Sequence, residues 1–115
     1  KYKLVLVLKG AHTVIAFKGK LYFNSTGNPA LATAGSGDVL TGIITGLIAQ
    51  KYTPSNAAIL GVYLHGKTAE LAMTSMVYET FTASDCIEYL SDAFLDLFKK
   101  EILEEPEQEG DQQEK

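Results

Sequence analysis

A short run of small residues with one carboxylate is the part of the chain best suited to chemistry. Residues 33–42 read TAGSGDVLTG, so that Gly35, Gly37 and Asp38 stand where an apolar helical pattern begins. Glycine has no Cβ, so the backbone can turn tightly and a ligand can approach it closely. A helix that starts here directs unpaired N–H groups and the positive end of its dipole outward. The run therefore predicts an anion site, in which Asp38 contacts a substrate hydroxyl.

A purely structural role for Asp38 is the first alternative. Aspartate is a common residue at helix starts, where its side chain accepts hydrogen bonds from free N–H groups. The surroundings favour a ligand site instead. Residues 24–29 (NSTGNP) are all turn formers, and the helix after them is unusually apolar. A buried helix that opens onto a loop of small residues is how α/β folds build ligand sites.

Length, charge and cysteine content limit the function classes. The chain has 115 residues, 46% of them hydrophobic, which suits one small packed domain. A net charge of −4 gives no attraction to nucleic acid or membrane surfaces. No apolar run is long enough for a membrane span, and no spacing suggests a structural metal site. The single cysteine, Cys86, excludes an internal disulfide and indicates a reducing, cytoplasmic location.

The hydrophobic pattern predicts three strands followed by three helices. The strands are expected at 4–8, 13–17 and 21–24, the last two joined by a turn at 18–20. The helices are expected at about 37–50, at 54–75 after the cap Thr53, and after a cap at Thr82 or Ser84. The small face of the first helix, with Gly42 and Gly46, is expected to allow close packing. Residues 104–115 are predicted to form a disordered acidic tail.

The first strand indicates that further protein is needed to cover it. Residues 4–8 (LVLVL) form a continuous apolar run, the pattern of a strand buried on both faces. Three helices hardly supply covering layers on both sides. We therefore expect the chain to be part of a larger domain, and we expect chains to pair as a homo-oligomer.

Four motifs in order resemble one family. They are KGAHT at 9–13, GNP at 27–29, AGSGDVLTG at 34–42 and YLHG at 63–66. Over residues 4–95 the chain resembles the ADP-dependent NAD(P)H-hydrate dehydratases, a branch of the ribokinase-like superfamily. The resemblance implies a three-layer α/β/α domain, of which residues 1–103 would be the C-terminal part.

The resemblance also implies a reaction and a site. The substrate would be the S form of NADH or NADPH hydrated at C6 of the nicotinamide ring. ADP, or ATP, would phosphorylate its hydroxyl, and phosphate would then leave to restore the cofactor. Asp38 would be the base and, with Asn28, would contact the substrate, while acidic residues upstream would help to hold Mg²⁺. The nucleotide would be bound by the following residues: Lys9, Gly10, Ala11, His12, Thr13, Gly35, Ser36 and Gly37.

Two other readings remain open. The same aspartate and anion site would serve a ribokinase-like kinase for a small alcohol, and a chain without the N-terminal half of the site would be inactive.

The roles of several other residues are less defined. Relatives often carry Ala-Gly-Asp where this chain has Thr68-Ala69-Glu70, so it stays open whether this helix contacts the nucleotide. His65, on an apolar helix, is expected to be a core histidine with a satisfied hydrogen bond. His12 is equally compatible with a phosphate contact and with an exposed loop position.

Overall fold

The computed structural model describes residues 4–10 and 12–100, and Ala11 and the predicted tail 104–115 lie outside them. Three strands come first: β1 (Val5–Leu8), β2 (Val14–Phe17) and β3 (Lys20–Phe23). A 3₁₀ turn (Pro29–Leu31) precedes α1 (Ser36–Ala49) and α2 (Pro54–Ala72), and another (Tyr78–Thr80) precedes α3 (Ala83–Glu88). A last helix, α4, covers 90–100. Among the described residues, no helix has the length and hydropathy needed to cross a membrane.

The strands form one antiparallel sheet in the order β1-β2-β3. Leu8 pairs with Val14, which pairs in turn with Phe23, so these three side chains share one face. The hairpin turn is Lys18-Gly19, and both residues have positive φ, 50° and 75°. That is the pattern of a two-residue hairpin turn, which matches the twist of the flanking strands. The predicted turn was one residue too long, because position 20 already belongs to β3.

Local capping sets where the helices begin. Thr53 accepts a hydrogen bond from the Asn56 N–H, and Pro54 occupies the first turn of α2, as predicted. Thr82, rather than Ser84, caps α3 through reciprocal bonds with Asp85. The predicted second helix was about three residues too long, since it ends at Ala72. The third helix is divided into α3 and α4, with a turn at residue 89.

The core lies between the sheet and two helices. Ile15 of the sheet packs with Leu40 of α1 and Val62 of α2. The axes of α1 and α2 approach closely at Gly61, where an added Cβ would lie 2.7 Å from Ile44 Cγ1. The small face of α1 plays no part in this packing: an added Cβ at Gly42 or Gly46 would meet nothing within 4 Å. The expectation of close packing on that face is therefore wrong for the described residues.

The opposite face of the sheet is open. Leu6 and Phe23 are 53% and 70% exposed, and Leu4, Leu8 and Leu21 on the same face are similarly uncovered. This agrees with the expectation that the helices of this chain do not cover both faces of β1, because α1 and α2 both lie on the other side. What is described is thus the sheet and one helical layer. A contiguous apolar face of this kind indicates a surface that another chain segment covers.

We expect Phe23→Lys to reduce self-association of the chain. An apolar side chain of this size contributes about 1.5–3 kcal/mol when buried, so its loss raises the association Kd by about tenfold or more. Analytical ultracentrifugation of both proteins measures this. Ile15→Lys, on the covered face, serves as the contrast and should unfold the chain. Unchanged association in folded Phe23→Lys would contradict this role for the face.

Candidate nucleotide-binding site

A cavity of about 860 Å³ opens where the segment after β1 (residues 9–13), the 24–34 loop, α1 and α2 meet. Residues of all four segments line it: Lys9, Gly10, His12, Thr13, Asn24, Thr26, Gly27, Asn28, Pro29, Leu31, Ala32, Thr33, Ala34, Ser36, Gly37, Leu40, Val62, His65 and Gly66. No aspartate or glutamate is among them. A cavity lined by a lysine and four glycines, and free of carboxylates in its described wall, suits an anionic ligand that approaches the backbone closely.

The start of α1 forms one wall of this cavity. Gly35 is the N-cap with a left-handed φ of 86°, and no described side chain caps the helix. An added Cβ at Gly35 would also lie 3.2 Å from that of Ala83, so both conformation and space favour glycine. Ser36 is buried, and its hydroxyl donates to the Leu31 carbonyl at 2.7 Å. The helix start is therefore fixed in place while its polar end is left for a ligand.

Lys9 brings a positive charge to the same place. A Cβ added at Gly37 would lie 2.6 Å from Lys9 Nζ, so the lysine ammonium lies directly against the first turn of α1. Only glycine leaves room for this approach without displacing the lysine. The ammonium and the helix dipole act in the same sense, since both attract an anion.

His65 supports the helix start from α2. Its Nε2 lies 2.9 Å from the Ser36 carbonyl oxygen, and a carbonyl accepts, so Nε2 carries the donated proton. Burial lowers the pKa of His65, the Ser36 hydrogen bond raises it in part, and Lys9 lowers it further. The prediction of a buried histidine with a satisfied hydrogen bond is confirmed. Its place in the cavity wall was not predicted, because a helical pattern does not show what faces a residue 29 positions away.

The loop wall of the cavity is attached to α2. Thr26 Oγ1 donates to the Tyr63 carbonyl at 2.8 Å, and the Gly27 N–H donates to Glu70 Oε2 at 2.8 Å. Between these two bonds Gly66 packs against Thr26, where an added Cβ would lie 2.7 Å from the carbonyl carbon. Sequence reasoning did not assign any of these α2 residues to the site. The spacing 63, 66 and 70, which places residues on one helix face, was the available signal.

The structure brings most of the predicted site residues together. Those in the cavity wall are Lys9, Gly10, His12, Thr13, Asn28, Ser36 and Gly37. Gly35 is the N-cap just behind that wall. Asp38 is exposed in the first turn of α1, adjacent to Gly37, and is not part of the wall. The Asn28 side chain caps the 3₁₀ turn by accepting from the Ala30 N–H at 2.9 Å.

The described residues do not form a Mg²⁺ site of their own. No group of three or more histidine, cysteine, aspartate or glutamate side chains in this part of the chain is arranged to hold a metal ion. Magnesium requires several oxygen ligands, and Asp38 alone does not provide them. A metal would have to be held by nucleotide phosphates and by groups outside the described residues.

Comparison with known proteins defines the class. A sequence profile of the NAD(P)H-hydrate dehydratase family matches residues 1–92. The chain is 50% identical over 91 residues to a bifunctional NAD(P)H-hydrate repair enzyme, Nnr, of Moorella thermoacetica, covering 78% of this chain and 17% of that protein.

Solved structures of proteins from this class have a similar fold. A Bacillus subtilis ADP/ATP-dependent NAD(P)H-hydrate dehydratase, co-crystallized with ATP and Mg²⁺, superposes with a TM-score of 0.77 and 42% identity over 80% of this chain and 34% of its own. A ribokinase-like superfamily protein from Enterococcus faecalis gives 0.59 and 32% identity, over 79% and 33%.

The fold is therefore ribokinase-like α/β, as predicted. More particularly, the chain belongs to the NAD(P)H-hydrate dehydratase family. It spans about a sixth of the length of the Moorella protein and about a third of each solved chain.

We expect Gly37→Ala to weaken ADP binding by about tenfold with little change in stability. The new methyl group displaces the end of Lys9, which is flexible, whereas alanine favours the helix over glycine by about 0.5–1 kcal/mol. Gly42→Ala, on the same helix and facing open space, is the matched control for the helix effect. Titration calorimetry and thermal melts measure the two quantities. Equal ADP affinity in all three proteins would contradict a role of this backbone in binding.

We expect the stability of the protein to fall as the pH drops below about 6.5, partly through His65. Its folded pKa lies below the ordinary value of 6.5, so the unfolded chain takes up a proton before the folded one does. The stabilising contribution is complete above pH 6.5 and is lost as the pH falls toward the folded pKa. In denaturant unfolding from pH 7.5 to 5, the free energy of unfolding should fall less steeply in His65→Gln than in the parent. If it falls equally in both proteins, His65 does not contribute to the pH dependence of stability.

Proposed function

We propose that this chain contributes the nucleotide site of an ADP-dependent dehydratase that repairs the S form of hydrated NADH or NADPH. One observation carries the proposal: the Lys9 ammonium and the uncapped start of α1 meet at a cavity, with a carboxylate one residue further along. An anion site beside a carboxylate is what phosphoryl transfer to an alcohol requires. Membership of the NAD(P)H-hydrate dehydratase family supports the choice of substrate.

Each group has a part in this reaction. The substrate hydroxyl attacks the terminal phosphorus of ADP, the bond to AMP breaks, and the hydroxyl proton passes to Asp38. The N–H groups at Gly35, Ser36 and Gly37, together with Lys9, would stabilise charge on the phosphoryl group during its transfer. The Ser36 N–H also donates to the Thr33 carbonyl at 3.3 Å, so it would be shared between that carbonyl and the phosphoryl group. Phosphate then leaves from C6 as C5 loses a proton, which restores the 1,4-dihydronicotinamide ring of NADH or NADPH. With ATP the same steps release ADP.

The remaining nucleotide contacts would come from the segment after β1. Gly10, His12 and Thr13 line the cavity next to Lys9, so this segment can contact phosphate or ribose, and Ala11 belongs to the same motif. Asn28 lines the cavity from the 24–34 loop, where we place the substrate. Because the Asn28 Oδ1 accepts from Ala30, its amide N–H₂ is the group available to a ligand.

Asp38 is exposed among the described residues. For this carboxylate to act on a hydroxyl, the substrate must cover it from the side that the described residues leave open. A wall supplied by further protein, either more of the same polypeptide or a second copy in a homo-oligomer, would do so. The open face of the sheet supports such an assembly. We also propose a reducing, cytoplasmic location, since the single cysteine, Cys86, is free and buried.

A ribokinase-like kinase for another small alcohol is the second candidate, because the same aspartate and anion site would serve it. An inactive fragment is the third. The assay that separates them measures turnover of hydrated NADH and NADPH with ADP, beside a panel of alcohols with ATP. ADP-dependent release of NADH or NADPH supports the dehydratase. Phosphorylation of an alcohol without release of NADH or NADPH supports the kinase. Absence of both activities in the intact protein supports an inactive fragment.

We expect Asp38→Asn to lower kcat by about 10²–10⁴-fold, the usual cost of losing a positioned base. ADP affinity should stay within about threefold, because the side chain does not line the cavity. Asp92→Asn, an exposed carboxylate on α4, controls for the change in net charge. Stopped assays and calorimetry measure the two effects. Half of the parent activity in Asp38→Asn would exclude this residue as the base.

A further inference from the structure

Glu70 lies outside the cavity wall yet is bonded to it. Its Oε2 accepts from the Gly27 N–H at 2.8 Å across 43 residues of sequence. Gly27 has a positive φ of 111° and Asn28 follows it, so the orientation of this peptide sets the course of the loop. Hydrogen bonds to a charged group are stronger than neutral ones. The contact therefore acts on the loop that presents Asn28 to the cavity.

The loop is also attached to the fold on both sides of this bond. Asn24 N donates to the Thr13 carbonyl at 2.9 Å and Thr26 Oγ1 to the Tyr63 carbonyl at 2.8 Å. Asn24 and Thr26 also bond to each other within the loop. Beyond Thr26, the Glu70 bond is the next described hydrogen bond from the loop to α2. It lies immediately before Asn28. After Asn28, Ala30 is buried against α2 and the Leu31 carbonyl accepts from Ser36. Loss of the Glu70 bond therefore acts on the Gly27–Asn28 segment and not on the whole loop.

Glu70 is itself held by a chain of charges. Its Oε1 lies 3.5 Å from Lys67 Nζ, which lies 3.6 Å from Asp96 Oδ2 on α4. Burial opposes the charge of Lys67, but the carboxylates of Asp96 and Glu70 outweigh it and raise the pKa of the lysine. Asp96 Oδ2 has no hydrogen-bond partner among the described residues, so Lys67 is its only compensation there. One carboxylate oxygen of Glu70 thus faces the lysine while the other faces the loop.

We infer that Glu70 is a positioning residue for the substrate side of the cavity, acting through the Gly27 peptide and oriented by Lys67. The inference rests on the proposed function. Glu70 does not contact the ligand cavity directly; it fixes the loop that does. The charge of Lys67 selects the rotamer of Glu70 in which Oε2 reaches Gly27.

The test compares Glu70→Ala, Glu70→Gln and Lys67→Met with the parent in the intact protein. Glu70→Ala removes the acceptor, and we expect the Kd for NADPH, the product used as probe, and the KM for hydrated NADPH to rise by about tenfold. Glu70→Gln keeps an acceptor of the same length, so it should remain within about threefold. Lys67→Met should fall between them. Glu88→Ala, which removes an exposed carboxylate at the end of α3, should match the parent.

A second readout follows the hydrogen bond itself. Amide hydrogen exchange at Gly27 should be fast in Glu70→Ala and slow in the parent and in Glu70→Gln. The KM for ADP should change by less than about threefold in each variant, because Lys9 and α1 are untouched. A purely structural Glu70 would lower the melting temperature in Glu70→Ala while leaving the KM for hydrated NADPH unchanged, and that result would overturn the inference.

The two proposals fail in different ways. A parent that binds NADPH but shows no repair activity refutes the proposed function, while the Kd and exchange comparison still judges Glu70. An active parent with unchanged KM in Glu70→Ala refutes only the role of Glu70. A parent that neither binds NADPH nor turns over its hydrate refutes both.

Discussion

The site depends on how the first turn of α1 is fixed without a capping side chain on its N–H groups. A helix start normally satisfies its free N–H groups with a capping side chain, but here the N-cap is glycine with no side chain to offer. The turn is instead fixed from the side, through the Ser36 hydroxyl on the 3₁₀ turn and the Ser36 carbonyl on His65. The helix start is thereby rigid and still polar toward the cavity. Lys9 completes it with a charge of the sign that phosphate requires.

Helix α2 carries both sides of that arrangement. Toward α1 it presents Gly61 and His65, which allow close packing and fix Ser36. Toward the loop it presents Tyr63, Gly66 and Glu70, which fix the residues before Asn28. Both walls of the cavity, the start of α1 and the loop, are therefore attached to α2. A site for the proposed nucleotide and second substrate would need such support, because reacting groups must be held to within about 0.5 Å.

The open sheet face and the exposed Asp38 share one explanation. Both are on sides where the described residues supply no covering layer, and the chain matches only about a third of each related solved structure. Isolated apolar strands associate readily when left uncovered. In the proposed site, the described residues supply the nucleotide contacts, and further protein would supply the surface that faces Asp38.

The sequence by itself determined the local features. The hairpin at Lys18-Gly19, the start of α2 at Thr53-Pro54 and the glycine-rich start of α1 all follow from backbone preferences that act within a few residues. Helix ends and the break at residue 89 were less well predicted, because packing rather than capping decides them.

The contacts that make the site were decided by tertiary structure alone. Lys9 with Gly37, Ser36 with His65 and Gly27 with Glu70 join residues 28, 29 and 43 positions apart. A periodic pattern records which face of an element is apolar, but not which distant polar group that element will bring against it.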